Sequence, residues 1–181
     1  MPLSFPLLGD RVLLRPFETA DAPAAHAIYG DDEVMRFVGE GGAVSPEETA
    51  RMVEDYRRHQ DEHGFACWAV MDRGTGELIG DAGLEVTGHG VELGYTLSRR
   101  WWGRGLATEA ASLCWEAAFG PLGMPQVVAL VDADNPASAR VVEKLGFTDQ
   151  GRTMAYGRPH HRFELGTYQP VTIGDPPFWS S

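Results

Sequence analysis

The stretch Val91–Ala110 constrains the fold more than any other part of the chain, because its hydrophobic period changes partway along. From Val91 to Leu97, apolar side chains alternate with polar or small ones, which is typical of a strand with two different faces. After Gly103 and Gly105, apolar residues recur at the spacing of one helix face. The stretch therefore predicts a strand that turns through glycines into a helix.

The turn between this strand and this helix has the features of an anion site. The first N–H groups of a helix have no partner inside the helix, and the helix dipole makes that end partly positive. Gly103 and Gly105 lack a Cβ, so an extended phosphate group can approach the main chain there. Three arginines add full charges beside the glycines: Arg99, Arg100 and Arg104. We therefore expect a phosphorylated cofactor, although a tight turn with solvated arginines gives the same bare pattern.

Two familiar nucleotide-binding motifs do not account for this turn. No Gly-Lys-Ser/Thr run follows it, as a Walker loop would require, and Thr108 stands where a Rossmann fingerprint would place its third glycine. The glycine turn alone therefore does not identify the cofactor.

Composition limits the classes of function. At 181 residues and 43% hydrophobic content, the chain is long enough for one domain over residues 1–181, with a core at about 8–169 and a tail at 170–181. The formal net charge of -11 argues against a nucleic-acid partner, because such a partner requires a basic surface. An acidic chain suits a cationic substrate better.

The sequence gives no indication of export or of a membrane partner. Residues 1–11 carry no basic leader, and apolar stretches such as Val127–Val131 are far too short to span a bilayer. We therefore expect a cytoplasmic protein. Cys67 and Cys114 have neither Cys-x-x-Cys spacing nor clustered histidines nearby, which favours two buried free thiols and no metal site.

Start, stop and turn signals predict the remaining elements. Ser45 before Pro46 is a strong helix start, and Asn135 before Pro136 is another. The predicted order is a strand Arg11–Arg15, a helix Ala20–Tyr29, a short helix from Asp31 to Val38, a helix to about His63, strands Phe65–Met71 and Glu77–Val86, the central strand and helix, a strand Gln126–Val131, a helix Ala137–Leu145, and strands Arg152–Tyr156 and Arg162–Gln169 joined by Gly157–His160. Short turns predict an antiparallel meander before the glycine turn, and the helix after it predicts a parallel strand pair.

This order of elements resembles the GNAT superfamily of acetyl-CoA-dependent N-acetyltransferases, and the RimJ/RimL-type branch in particular. The resemblance lies in the segments Arg11–Pro16, Glu77–Gly80 with Gly83, Val91–Leu97, Trp102–Ala110 and Asn135–Phe147. It implies an α/β (α+β) fold with a twisted, mostly antiparallel sheet and helices on both faces. In this fold a central parallel strand pair splays to hold CoA.

The resemblance also implies acetyl-CoA as cosubstrate and no metal. Arg100–Gly105 match the signature Arg/Gln-x-x-Gly-x-Gly/Ala, whose main-chain amides bind the cofactor pyrophosphate in such a family. The pantetheine arm is expected to pair with the strand before it and to contact the helix that Asn135 starts. The implied cofactor contacts are Tyr95, Thr96, Leu97, Arg100, Trp102, Gly103, Arg104, Gly105, Leu106, Ala107, Thr108, Asn135 and Ser138.

The chemistry implied is attack of a neutral amine on the thioester, which needs a base, an oxyanion donor and an acid. By resemblance, a main-chain N–H near Leu97 is the oxyanion donor and Ser138 is the acid, with helix capping as the alternative role of Ser138. We expect Glu92 to be the base, because its strand face is opposite the apolar one, although pairing with an arginine is an alternative. The rival bases are Asp81, Glu85, His160, His161 and Glu164.

Trp101 and Trp102 follow the central strand as an adjacent aromatic pair. Such a pair can stack on nucleic-acid bases, but the acidic chain favours a structural role. We therefore expect both rings to wedge the start of the central helix into the core.

The acceptor is expected to be a primary amine, by resemblance a protein N-terminal amino group of the ribosomal-protein type. The alternatives are a small cationic amine, such as a polyamine, an antibiotic or an amino-acid derivative, and a CoA-binding regulatory module without turnover. The loops Gly39–Ser45 and Gly157–His161 are expected to determine the acceptor. The oligomeric state stays open, with a homodimer among the alternatives.

Overall fold

The computed structural model describes residues 1–166, so the tail predicted at 170–181 and the end of the strand predicted to reach Gln169 lie outside the described residues. The strands are β1 (Leu7–Leu8), β2 (Val12–Arg15), β3 (Cys67–Asp72), β4 (Leu78–Thr87), β5 (Gly90–Leu97), β6 (Gln126–Asp132), β7 (Thr148–Ala155) and β8 (Arg158–Gly166). The helices are α1 (Ala22–Tyr29), α2 (Asp32–Met35), α3 (Pro46–His63), α4 (Leu106–Phe119) and α5 (Pro136–Lys144), with short 3-10 helices at Thr19–Asp21 and Arg99–Trp101.

The described strands form one mixed sheet in the order β1-β2-β3-β4-β5-β6-β8-β7. All neighbouring pairs are antiparallel except β5 and β6, which are parallel. That parallel pair is in register at one position, Glu92 with Val128, whereas β6 and β8 pair along the whole of β6. β5 and β6 therefore part beyond Glu92, as the predicted splay requires, and the predicted fold class is confirmed.

Helices cover both faces of the sheet, and each face has its own buried cluster. On one face, Leu93 of β5 and Val127 of β6 pack in the same cluster as Leu106 of α4. On the other face, Tyr29 of α1 packs in the same cluster as Val53 of α3. Side chains alternate along a strand, so β5 presents one set of residues to α4 and the other set to the α1 and α3 side.

Local sequence signals account for the helix ends. The Ser45 hydroxyl accepts a hydrogen bond from the Glu48 N–H at 3.1 Å, Pro46 opens α3, and Gly64 ends it in a left-handed conformation with φ of 78°. The predicted N-cap at Asn135 is confirmed in the same way, because its side-chain oxygen accepts from the Ser138 N–H at 3.2 Å. Both caps provide partners for N–H groups that the first helical turn leaves free.

The final hairpin differs from its prediction. Its turn is Tyr156-Gly157, with φ of 51° and 73°, and the predicted linker residues from Arg158 to His160 belong to β8. Two residues with positive φ are what a two-residue hairpin turn needs, but Pro159 in the sequence favours a loop. The strand tolerates Pro159 because this residue lies level with the end of β6, where its carbonyl accepts from the Ala133 N–H at 3.1 Å.

The aromatic pair after β5 also differs from its prediction. Trp101 packs against the α4 cluster, but Trp102 is 48% exposed and does not wedge into the core. The indole Nε1 of Trp102 instead donates to the Leu97 carbonyl at 2.8 Å, which fixes the ring over the end of β5. Both cysteines are free and buried, as predicted.

Candidate active site

The glycine turn before α4 leaves its main chain open to a ligand. Gly103 and Gly105 have φ of 72° and 76°, both are exposed, and no atom lies within 4 Å of a Cβ built at Gly103. The N-cap residue Gly105 contributes no side-chain hydrogen bond, so the N–H groups that open α4 at Leu106 to Thr108 lack a side-chain cap. An anion can therefore approach this end of the helix without displacing a protein group.

The three arginines predicted beside the turn have different partners. Arg99 pairs with Asp31 at 2.7 Å, and Arg100 pairs with Glu77. The Arg104 guanidinium lies over the Trp101 ring at 4.9 Å and forms no ion pair among residues 1–166. Of the three, Arg104 thus has its charge available for an anion, whereas Arg99 and Arg100 are engaged with carboxylates.

Arg11 organises the turn, although the sequence analysis assigned it only to a strand. Its Nη1 donates to the Arg104 carbonyl at 2.7 Å, and its Nε lies 2.8 Å from Glu109 Oε2. Burial alone would raise the pKa of Glu109, but hydrogen bonds from Arg11 and from the Val12 N–H outweigh it, so the pKa is lowered. The ionised Glu109 therefore ties α4 to β2 and holds the glycine turn in place.

Beyond Glu92, the edge of β5 that faces β6 carries main-chain groups without a strand partner. The Ser98 N–H donates to the Ile79 carbonyl, and in an antiparallel pair such bonds recur at every second residue. The N–H and C=O groups of Tyr95 and the N–H of Leu97 therefore point away from β4, toward the gap where β6 has parted, while the Leu97 carbonyl accepts from the Trp102 indole. This open edge fits an extended amide-containing ligand, and the Leu97 N–H fits the expected oxyanion donor.

Tyr95 and Ser138 form a hydroxyl pair on the α4 side of this gap. The Tyr95 hydroxyl lies 2.8 Å from Ser138 Oγ and donates to the Ser138 carbonyl at 2.9 Å. Burial raises the pKa of Tyr95 to about 12, so the phenol keeps its proton at neutral pH. Ser138 thus lies next to the gap, in contact with the Tyr95 hydroxyl. The Asn135 side chain caps the start of α5, the helix that contains Ser138.

Glu92 lies on the opposite face of β5, toward the α1 and α3 side. It is the register partner of Glu85, and its Oε2 accepts a hydrogen bond from the Tyr156 hydroxyl at 2.8 Å. Burial raises the pKa of Glu92, while that hydrogen bond acts in the lowering direction. Tyr156 was missed by the sequence analysis, because the partner lies 64 residues away along the chain.

Two further carboxylates share this face with Glu92. Asp81 accepts from the Tyr29 hydroxyl at 2.5 Å and from Cys67 Sγ at 3.2 Å, and burial raises its pKa to about 6. Burial, with the charges of Asp81 and Glu92, raises the pKa of Glu85 to about 7. Within residues 1–166, none of these three carboxylates forms an ion pair with a basic side chain. A protonated amine is the counter-charge that this face lacks.

The remaining rival bases are engaged elsewhere. His161 pairs with Asp149 at 2.9 Å, and Glu164 pairs with Arg162 at 2.7 Å. His160 is 2% exposed and packs edge-on against the Tyr156 ring at 5.7 Å. The carboxylates of β4 and β5 are therefore the groups best placed to take a proton from an amine.

A split parallel strand pair separates an open glycine turn on one face from desolvated carboxylates on the other, which is the arrangement expected of an acyl-CoA-dependent acyltransferase. Residues 11–148 match the acetyltransferase (GNAT) domain, so the chain belongs to the GNAT family of N-acetyltransferases. The described part of the chain contains no helix long and apolar enough to cross a membrane. Within the same residues, no group of three or more His, Cys, Asp and Glu side chains is arranged to hold a metal ion.

Comparisons with individual proteins agree with this assignment. The chain is 33% identical over 156 residues to the uncharacterized N-acetyltransferase YoaA of Bacillus subtilis (strain 168), covering 84% of this chain and 88% of the relative. It is 28% identical over 161 residues to the spermidine N(1)-acetyltransferase of Escherichia coli (strain K12), covering 87% and 81%. The crystal structure of an acetyltransferase from Agrobacterium tumefaciens str. C58 has a TM-score of 0.78 at 27% identity, covering 91% of this chain and 96% of that one.

Proposed function

We propose that this N-acetyltransferase moves the acetyl group of acetyl-CoA to a primary amine that approaches from the α1 and α3 side. One observation carries the proposal. Glu92 lies at the last paired position before β5 and β6 part, with its carboxylate on the face opposite α4 and without a basic partner in residues 1–166. An ammonium group that arrives there meets a desolvated carboxylate beside the gap where a thioester fits.

The cofactor contacts proposed are those that the resemblance implied. The main chain of Trp102–Thr108 binds the pyrophosphate, with Arg104 as the available cation. The main chain of Tyr95–Leu97 pairs with the pantetheine amides, and Asn135 and Ser138 flank the arm. Acetyl-CoA, when bound, supplies a thioester whose carbonyl carbon accepts the amine. Exposed glycine amides and the unpaired edge of β5 support this placement.

The catalytic roles follow from the two faces of β5. The Glu92 carboxylate takes the proton of the ammonium group, and the Leu97 N–H donates to the developing oxyanion. The Ser138 hydroxyl donates a proton to the departing sulfur, while the Tyr95 hydroxyl at 2.8 Å holds Ser138 Oγ in place. Burial raises the pKa of Glu92, and a higher pKa makes a carboxylate a stronger base.

A small amine is the acceptor class that the geometry supports best. A cavity of about 310 Å³ opens at the ends of β6 and β8, beside the chain that follows α2, and its size suits a small molecule. The protein N-terminal amine is the second candidate, because Met154 and Tyr156 expose 64% and 40% of their surface on the hairpin beside Glu92. A polypeptide could contact that hairpin. The sequence motifs resemble those of the RimJ/RimL-like branch, and this resemblance supports the protein N-terminal amine as acceptor.

The first experiment follows thiol release from acetyl-CoA with a panel of N-terminal peptides, polyamines, aminoglycosides and amino acids. We expect turnover with one acceptor class, and a fall in kcat of about 100-fold for Glu92→Gln because general base catalysis is lost. Glu47→Gln, an exposed change on α3, is the matched control. Ser138→Ala should lower kcat while calorimetry still detects acetyl-CoA binding. If Glu92→Gln keeps most of the wild-type rate, Glu92 is not the base.

A further inference from the structure

The cavity of about 310 Å³ at the ends of β6 and β8 has a charged lining that acetyl transfer alone does not explain. It lies where the chain after α2 meets the ends of β6 and β8. Its charged residues are Arg36, Arg152, Arg158, Asp132 and Asp134. Three of the 15 basic residues of a chain with a net charge of -11 thus line one small cavity, which we call the arginine pocket. The local charge is opposite in sign to that of the chain.

Arg158 of the arginine pocket is held by two main-chain carbonyls and a carboxylate. Its Nη1 donates to the Arg36 carbonyl at 2.9 Å and its Nη2 to the Gly39 carbonyl at 3.1 Å. Its Nη1 also lies 3.3 Å from Oδ2 of Asp132, which is only 6% exposed. Asp132 Oδ2 and Arg158 Nε are both buried without hydrogen-bond partners in residues 1–166, so the contact between the two side chains is electrostatic. Asp132 therefore balances the charge of Arg158 and fixes its position.

The other two arginines keep their charge. Arg36 and Arg152 are exposed, and neither forms an ion pair among residues 1–166. The Arg36 guanidinium lies over the Phe37 ring at 5.1 Å, which gives the pocket an aromatic wall. Guanidinium groups beside an apolar wall match a carboxylate, which accepts two parallel N–H bonds and loses little water there.

Asp132 of the arginine pocket lies on the same face of the sheet as Glu92. Asp132 lies four residues beyond Val128, the register partner of Glu92, which is about 13 Å along an extended strand. Asp132 is also the register partner of His160, whose ring packs on Tyr156, and the Tyr156 hydroxyl bonds to Glu92. The long side chains of glutamate and arginine shorten the gap that a ligand must span.

We propose that the arginine pocket binds a carboxylate of the acceptor while its amine lies beside Glu92. The acceptor class is then a zwitterionic amine whose carboxylate is separated from the amine by several bonds. A polyamine fits less well, because its second cation would enter a cavity in which three arginines outnumber two aspartates. This inference rests on the proposed function, since it takes the amine beside Glu92 to be the acceptor.

The test compares 6-aminohexanoate with 6-aminohexanamide, which differ only in the carboxylate. We expect the acid to have a KM about tenfold lower than the amide, the effect of a charged hydrogen bond. Arg152→Gln should bring the ratio of the two KM values close to one, and Arg36→Gln should act in the same direction. Arg51→Gln, an exposed change on α3, is the matched control and should keep the wild-type ratio. Equal KM values for the two amines with wild-type protein would overturn the inference and leave the proposed function intact.

A binding measurement decides the inference even without turnover. Calorimetry with 6-acetamidohexanoate, the product carboxylate, reports on carboxylate binding independently of turnover. We expect saturable binding to the wild-type chain and at least tenfold weaker binding to Arg152→Gln. Absence of binding to the wild-type chain would overturn the inference. Absence of turnover with every amine of the panel, beside intact carboxylate binding, would instead contradict the proposed function.

Discussion

Replacing Tyr156 by phenylalanine tests how the hairpin tunes the proposed base. The Tyr156 hydroxyl donates to Glu92 Oε2 at 2.8 Å, and this bond stabilises the ionised form of Glu92. Tyr156 holds a φ of 51°, which is uncommon for a residue with a Cβ, so the turn places this ring at a conformational cost. Tyr156→Phe removes the bond and keeps the ring that packs on His160.

The expected effect is a shift in the pH dependence of the reaction. Burial raises the pKa of Glu92, and loss of the lowering hydrogen bond raises it further. A hydrogen bond to a charged group contributes about 1.5–3 kcal/mol, and we take about 1 kcal/mol because Tyr156 is 40% exposed and water replaces part of the bond. Since 1.36 kcal/mol corresponds to one pH unit, the acidic limb of the kcat/KM profile should move upward by about 0.7 unit. At high pH the variant should approach the wild-type rate, because Glu92 is then ionised in both proteins.

The assay is kcat/KM against pH for the best amine of the panel. Met154→Leu, on the same hairpin and 64% exposed, is the control and should leave the limb in place. A 13C NMR titration of the Glu92 carboxyl in the protein without substrate should report the same direction of shift. A rate loss of equal size at every pH, with no shift of the limb, would refute the reasoning and assign Tyr156 to acceptor binding.

Three further predictions concern stability. Because burial and neighbouring charges raise the pKa of Glu85 to about 7, its contribution to stability is present at low pH and is lost as the pH rises through that value. Urea titrations of the wild-type chain should show an unfolding free energy that falls between pH 5 and pH 8. Glu85→Gln should make this fall smaller by roughly 2 kcal/mol, whereas Glu47→Gln should leave it unchanged. Gly83→Ala places a Cβ 2.1 Å from the Ala66 carbonyl oxygen and should lower the unfolding free energy by about 3 kcal/mol. Gly88→Ala is the control, because no atom lies within 4 Å of a Cβ built there. It should change the unfolding free energy by less than about 0.5 kcal/mol in the same titrations. Ser45→Ala removes the cap of α3 and should cost about 1 kcal/mol; no change in the denaturation midpoint would argue against the cap.

The cofactor side of the site could be predicted from sequence because its signals are local. The change of period across Gly103 and Gly105 predicts both the strand end and the helix start, and the structure has β5 ending at Leu97 and α4 beginning at Leu106. Backbone conformation, helix dipole and glycine exposure all depend on residues within one short stretch. The partners of the arginines there were not predictable, because Arg99 and Arg100 pair with residues from distant segments.

The acceptor side could be predicted only in part, because it depends on register between distant strands. The alternation of β5 places Glu92 on the correct face, but the sequence does not reveal that Glu85 is its partner across the pair. The second strand of the hairpin that brings Tyr156 to Glu92 was predicted to begin at Arg162 but begins at Arg158, since Pro159 favours a loop when read locally. The arginine pocket depends on three separate segments, so no local pattern indicates it.

The different roles of the two faces of the sheet depend on two glycines of β4. Beyond Glu92, β5 has no registered partner in β6, so its position is set by its pairs with β4, from Gly80 with Leu97 to Thr87 with Gly90. A Cβ at Gly80 would lie 2.0 Å from the Thr96 carbonyl oxygen, so this close approach admits only glycine. Gly83 meets β3 just as closely. A slip of one residue would exchange the faces of β5, turning the proposed base toward the cofactor helix and the Tyr95 hydroxyl toward the acceptor.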